Sequence, residues 1–141
     1  MATFSAQIDS QIAKIERLHL AIFKESTQRM SSLMQSRIPV DTGFARASHR
    51  ASLTSMPKID EKASKPTPGS HFSWNPTSVS VVIAQAKIGD KIYLGWTANY
   101  VPELERGHSR QAPSGFIRVS LLEWPRIVSE VTAAAKSRSV Q

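Results

Sequence analysis

Between Phe4 and Arg37 the chain has neither glycine nor proline, and its apolar residues recur at helical spacing. Ile8, Ile12, Ile15, His19, Ile22, Met30 and Leu33 fall mostly at three- and four-residue steps, and Leu18 and Phe23 widen the stripe. Gln7, Lys14, Glu16, Arg17, Lys24 and Gln28 occupy the opposite face. The pattern predicts one helix of roughly 33 residues, and at about 1.5 Å per residue it spans roughly 50 Å. A chain of 141 residues is one domain's worth. So small a domain is narrower than this helix is long. Part of the helix must therefore bend or pack on something outside its own core, and a partner subunit is the simplest answer.

Pro39 stops the helix, and Asp41-Thr42-Gly43 is turn chemistry: a side-chain acceptor beside a residue free to take positive φ. Asp41 is expected to accept backbone N–H groups in its own turn. Residues 44–53 alternate loosely, with Arg46, Ser48 and Arg50 on one side, and predict a strand. Residues 54–76 hold Pro57, Pro66, Pro68, Gly69 and Pro76, many Ser and Lys, and few large apolar groups before Phe72 and Trp74. They predict a long flexible loop within the single domain 1–141. Val79, Val81 and Ile83 alternate, so 77–86 is expected as a strand; with Gly89-Asp90 as turn and 91–98 as return strand, 77–98 is expected as a hairpin. Residues 100–106 predict one helical turn ended by Gly107. Residues 116–138 predict a second long helix with Ile117, Leu121, Trp124, Val128 and Val131 facing the core and a kink or fresh start at Pro125. The expected fold class is α+β: a long N-terminal helix, a small antiparallel sheet of three or four strands with a β-hairpin, and a C-terminal helix packed on the sheet.

Several chemistries lack their residues. There is no cysteine, hence no disulfide frame, thiolate nucleophile or cysteine zinc site. No run is long and apolar enough to suggest a membrane span. The first ten residues lack the basic start and apolar core of a secretory signal, so the expectation is a product made in the cytoplasm. His19, His49, His71 and His108 show no metal-ligand spacing, no Gly-x-Ser-x-Gly elbow occurs, and no glycine-rich phosphate loop occurs. No cofactor is expected. Asp41-Thr42-Gly43, with Tyr93-Leu94-Gly95 further on, has the form of a retroviral-type aspartic protease motif. Against it, that fold needs strands before its catalytic Asp, and here a helix precedes. The formal charge of +7 is spread along the chain with no run of five or six like charges. This suits weak, non-specific contact with DNA more than a sequence-reading module, and a basic nucleic-acid-binding protein is the alternative reading. Trp74, Trp96 and Trp124 lie on three unlike elements and are expected as core anchors.

Two stretches taken together carry a family resemblance. The first is Ile38-Pro39-Val40-Asp41-Thr42-Gly43-Phe44-Ala45-Arg46 after the long helix. The second runs from Ile92-Tyr93-Leu94-Gly95 through Tyr100, Glu105 and Gly107 to Phe116 and Arg118. Their order and spacing resemble the HK97 gp10-like group of phage tail-completion and head–tail joining (neck) proteins. The resemblance covers nearly all of the chain except 54–76. It implies a structural, non-enzymatic virion protein that forms a ring, commonly six-fold, between the head-side connector or stopper and the tail tube or tail terminator. It further implies that Asp41, Gly43, Arg46, Tyr100, Glu105, Gly107, Phe116 and Arg118 are fold-defining or subunit-interface positions.

Overall fold

The computed structural model describes residues 3–140. Helix α1 runs Phe4–Arg37, as the periodicity predicts. Thr3 caps it by accepting the Ala6 N–H at 3.1 Å. It stops at Ile38, which takes the extended conformation that a following proline imposes. After it come α2 (Phe44–Ala47), β1 (His49–Ser52), α3 (Thr77–Ala84), β2 (Tyr93–Trp96), α4 (Val101–Glu105), α5 (Ile117–Leu121) and α6 (Trp124–Val140). The mixed helix-and-sheet class holds, with a smaller sheet than expected: two antiparallel strands, β1 and β2, in the register His49 to Trp96 and Ser52 to Tyr93. One parallel bridge, Asp60 to Ala98, extends it.

Three expectations are corrected. Residues 77–86 are not a strand, and there is no 77–98 hairpin. Val79, Ile83 and Ala86 are the buried positions, and their spacing of four and three is helical. The same valines satisfy both periods in so short a run, and packing against α1 and β1 decides for helix α3. Lys24 of α1 donates to the Ala84 carbonyl at the C-terminal end of α3, where a cation is favoured. Second, the expected strand over 44–53 begins as the helical turn α2, and only His49–Ser52 is extended. Gly43, at φ +83, turns the chain directly into that helical turn. Third, the C-terminal helix expected on the sheet packs chiefly on α1; the fresh start expected at Pro125 is present, with α5 and α6 as separate helices and Pro125 in the first turn of α6, where its missing N–H is harmless. Phe116, Ile127 and Val131 face the core, whereas Leu121 and Trp124 are exposed.

The core gathers around Trp96. Phe116 meets it edge-on at 5.1 Å, and Met30, Met34, Ile38, Val101 and Val131 close the cluster. Helix α6 lies antiparallel on the C-terminal half of α1, bridged by Arg37–Glu123, Arg29–Glu130 and Arg138–Glu25. These pairs are partly or largely exposed and contribute little energy. Burial along α1 starts late: its buried residues run from Ser26 to Gln35, while Phe4, Ile8, Ile12 and Ile15 stand in solvent.

A polar chain threads this core. His49 is fully buried and stacks on Trp96 at 4.3 Å. Its Nδ1 lies 2.9 Å from the Gly95 carbonyl, which can only accept, so Nδ1 carries the proton. Its Nε2 therefore accepts from the Ser31 hydroxyl, also at 2.9 Å. Trp96 Nε1 donates to Gln35, whose Nε2 donates to the Arg46 carbonyl. Burial pulls the His49 pKa down to about 4, against the Gly95 bond and with help from the Arg50 charge. The unfolded chain binds this proton near pH 6.5, so stability falls as pH drops from there through about 4. The expected loss over that window is about 3 kcal/mol. Chemical denaturation at pH 7, 5.5 and 4 checks it: His49→Gln flattens the slope over this window, and an unchanged slope contradicts the assignment.

Candidate functional site

The eight positions singled out from the sequence divide into two clusters and one outlier. Asp41, Gly43 and Tyr100 line a small pocket of about 190 Å³ together with Lys65 and His108. The turn that forms it is held by Thr42, not by Asp41. Thr42 Oγ1 accepts the Phe44 N–H at 3.2 Å, while the exposed Asp41 carboxylate accepts no hydrogen bond among the described residues. A β-hydroxyl one residue on satisfies the same turn, so the expected Asp41 acceptor is replaced. At Gly43, positive φ and a close approach coincide. A Cβ there would collide with the Phe72 carbonyl, because residue 72 donates its N–H to Thr42 O at 2.8 Å. The far end of the long 54–76 connection is thereby joined to the turn. Phe72 meets Phe44 edge-on at 5.1 Å, and Phe44 stacks with Tyr100 at 6.4 Å. Burial pushes the Tyr100 hydroxyl pKa up, opposed by hydrogen bonds with the Ala45 backbone and Thr42 and aided by the Asp41 charge.

The second cluster is Glu105, Gly107, Phe116 and Arg118. Glu105 ends α4 and reaches across to the start of α5. Its carboxylate accepts the N–H groups of Phe116, Ile117 and Arg118 at 2.9, 2.7 and 2.9 Å and the Arg118 Nε at 2.9 Å. One side chain thus satisfies three donors that a helix N-terminus leaves open, and it places negative charge there. Burial alone would raise the Glu105 pKa; the three backbone donors and Arg118 outweigh it and hold the carboxyl below its usual range. Gly107, at φ +92, closes α4, and a Cβ there would strike the Pro113 carbonyl. Phe116 is fully buried against Trp96, so Glu105 fixes the entry of a core residue.

Arg46 stands apart from both. Its carbonyl accepts from Gln35, and its guanidinium makes no hydrogen bond or ion pair among the described residues. Two residues the sequence reading gave no role also matter. Gln111 joins the two clusters, accepting the Val40 N–H at 2.9 Å and donating to the Val40 carbonyl at 3.1 Å. His49 is the other, and no local signal distinguishes it from the exposed His71. Of the three tryptophans expected as core anchors only Trp96 is one; Trp74 is half-buried and Trp124 is exposed. No strand precedes Asp41 among the described residues, and no group of three or more His, Asp or Glu there could hold a metal.

An apolar groove also opens at the surface. It holds about 870 Å³ and runs beside β2, floored by Met30 and Met34 of α1 and walled by Met56, Leu94, Ile117 and Leu121. The chain matches no protein-family model, no curated protein and no solved structure. No helix among the described residues is long and apolar enough to cross a membrane.

Glu105→Ala leaves three backbone donors unserved and is expected to cost about 1–3 kcal/mol. Arg118→Ala removes a largely exposed partner and is expected to cost under about 1 kcal/mol. Asp41→Asn is expected to change stability by less than about 0.5 kcal/mol. Urea denaturation of the three variants side by side checks the order, and a cost for Asp41→Asn equal to that for Glu105→Ala contradicts it.

Proposed function

We propose that this chain is a structural subunit of a tailed-phage virion, assembled as a ring at the head–tail junction and needed to join the DNA-filled head to the tail. The observation that carries the reading is the exposed apolar row Phe4, Ile8, Ile12 and Ile15 on a helix that outruns its own core. A helix polar only on its other face is stable in water chiefly when a neighbour covers the apolar one. The motif order from Asp41-Thr42-Gly43 to Arg118, with its resemblance to neck and tail-completion proteins, supports the placement. The two clusters act as fold-defining positions: each fixes a chain reversal that presents the surface rather than performing chemistry. The proposed neighbours are further copies of this chain in a six-fold ring, the head-side connector or stopper, and the tail tube or its terminator. The diffuse charge of +7 suits a channel that passes DNA without gripping it.

A phage lacking this gene is expected to yield DNA-filled heads and separate or aberrantly ended tails, with few joined particles. Adding the purified protein to such an extract restores joining, scored by electron microscopy and plaque count. Intact infectious virions from the deletion, or arrest at empty procapsids, overturn the reading.

A further inference from the structure

We infer that the exposed row at the start of α1 pairs with the same row of a second copy of this chain, parallel and in register, as a short coiled coil. The inference rests on the assembly reading above and deepens it by naming what covers the row.

The spacing selects another helix of the same kind. Ile8, Ile12, Ile15, His19 and Ile22 recur at steps of four, three, four and three. That is the repeat of about 3.5 residues that defines a coiled-coil seam, with Ile8, Ile15 and Ile22 at d and Ile12 and His19 at a. The seam is narrow, since polar Ser5, Asp9, Gln11 and Glu16 flank it. Further along α1 the same face already meets a helix: Leu18, Ile22 and Ser26 border Trp124, Val128 and Thr132 of α6. Nearer the start of α1 the seam runs on uncovered. Phe4 is 79 % exposed there, and Ile8, Ile12 and Ile15 are 44 %, 48 % and 50 % exposed.

Both halves of the contact are this row, so each brings the same area. Each row exposes on the order of 400 Å² of apolar surface, at the upper end of what monomers leave in one patch. Two rows with their flanks therefore bury on the order of 1,000 Å², the low end for a specific complex. Orientation follows from the flanks. Asp9 and Glu16 lie on one side of the seam and Gln11 on the other. Antiparallel pairing sets like flanks together, carboxylate beside carboxylate. Parallel pairing sets the Gln11 amide of one copy beside Glu16 of the next, a donor facing a carboxylate. It also leaves the folded ends of both copies at the same end of the pair, as neighbours around a ring require. So short a coil is weak between free copies and holds where assembly keeps them side by side.

The absence of native cysteine makes the test direct. Full-length Ile8→Cys, Ile15→Cys and Arg17→Cys proteins are each equilibrated at about 0.5 mM in a glutathione redox buffer. All three positions are exposed, so each variant is expected to keep the parent's urea midpoint. Ile8→Cys and Ile15→Cys are each expected to give a symmetric disulfide dimer, at least tenfold more than Arg17→Cys on the opposite face. Adding Ile12→Glu lowers both yields at least tenfold. In an equimolar mixture of Ile8→Cys and Ile15→Cys the two self-dimers exceed the mixed dimer. Predominance of the mixed dimer shows the rows running antiparallel and overturns the proposal, as do yields equal to that of Arg17→Cys. Failure of row-specific dimers with head–tail joining intact and insensitive to Ile12→Glu removes this contact alone. Row-specific dimers from a protein dispensable for joining support the contact and remove the virion reading alone.

Discussion

Everything in the folded part of this chain depends on one buried ring. His49 accepts from Ser31 of α1, donates to Gly95 of β2, and lies flat on Trp96, so a single imidazole holds the first helix to both strands. Trp96 in turn hands its N–H to Gln35, one helical turn past Ser31. Two polar side chains of α1 point inward among methionines because the sheet presents them with partners. A buried polar group without such partners would be costly. With them, it selects one register of β1 on β2 and one rotation of α1 over the sheet. The neutral imidazole is the condition for this, since protonation would bury a charge and take away the acceptor of the Ser31 hydroxyl proton.

That same arrangement explains why the rest of α1 is uncovered. The sheet has only two short strands, and α6 ends beside the middle of α1. The core therefore reaches back along α1 to about Ile22, with Leu18 and Leu20 half-buried beyond it. The first turns are helical by continuity and leave Phe4, Ile8, Ile12 and Ile15 exposed on one face. The fold builds a rigid anchor at one end of a helix and extends the other. The Glu105 cap and the Gly43 reversal serve the anchor end: they fix the loops around Phe116 and Tyr100.

Long, strongly periodic features were legible from residue order. The bounds of α1 follow from an unbroken stripe and a proline, the close of α4 from Gly107, and the fresh start near Trp124 from Pro125. Short elements were not legible. Val79, Val81 and Ile83 fit a strand, whereas Val79, Ile83 and Ala86 fit a helix, and only the surfaces of α1 and β1 choose between them. The pairing of β1 with β2 joins residues more than forty apart in sequence, and nothing in either four-residue run announces its partner. Of the candidate site, the close of a helix at Gly107 is readable in residue order, but the role of Glu105, capping a different helix across a loop, exists only in three dimensions. Asp41 drew attention through its motif, although Thr42 beside it makes the bond. His49 and Gln111 act entirely through partners distant in sequence.

The central claim is that the first turns of α1 are unsupported in the free chain and covered in the assembly. Hydrogen–deuterium exchange of residues 4–18, measured on the free protein and on assembled particles, tests it most directly. The account predicts fast exchange in the free chain, as for a helix with no tertiary cover, and strong protection in the particle. Equal exchange in the two states, whether fast or slow, would contradict it.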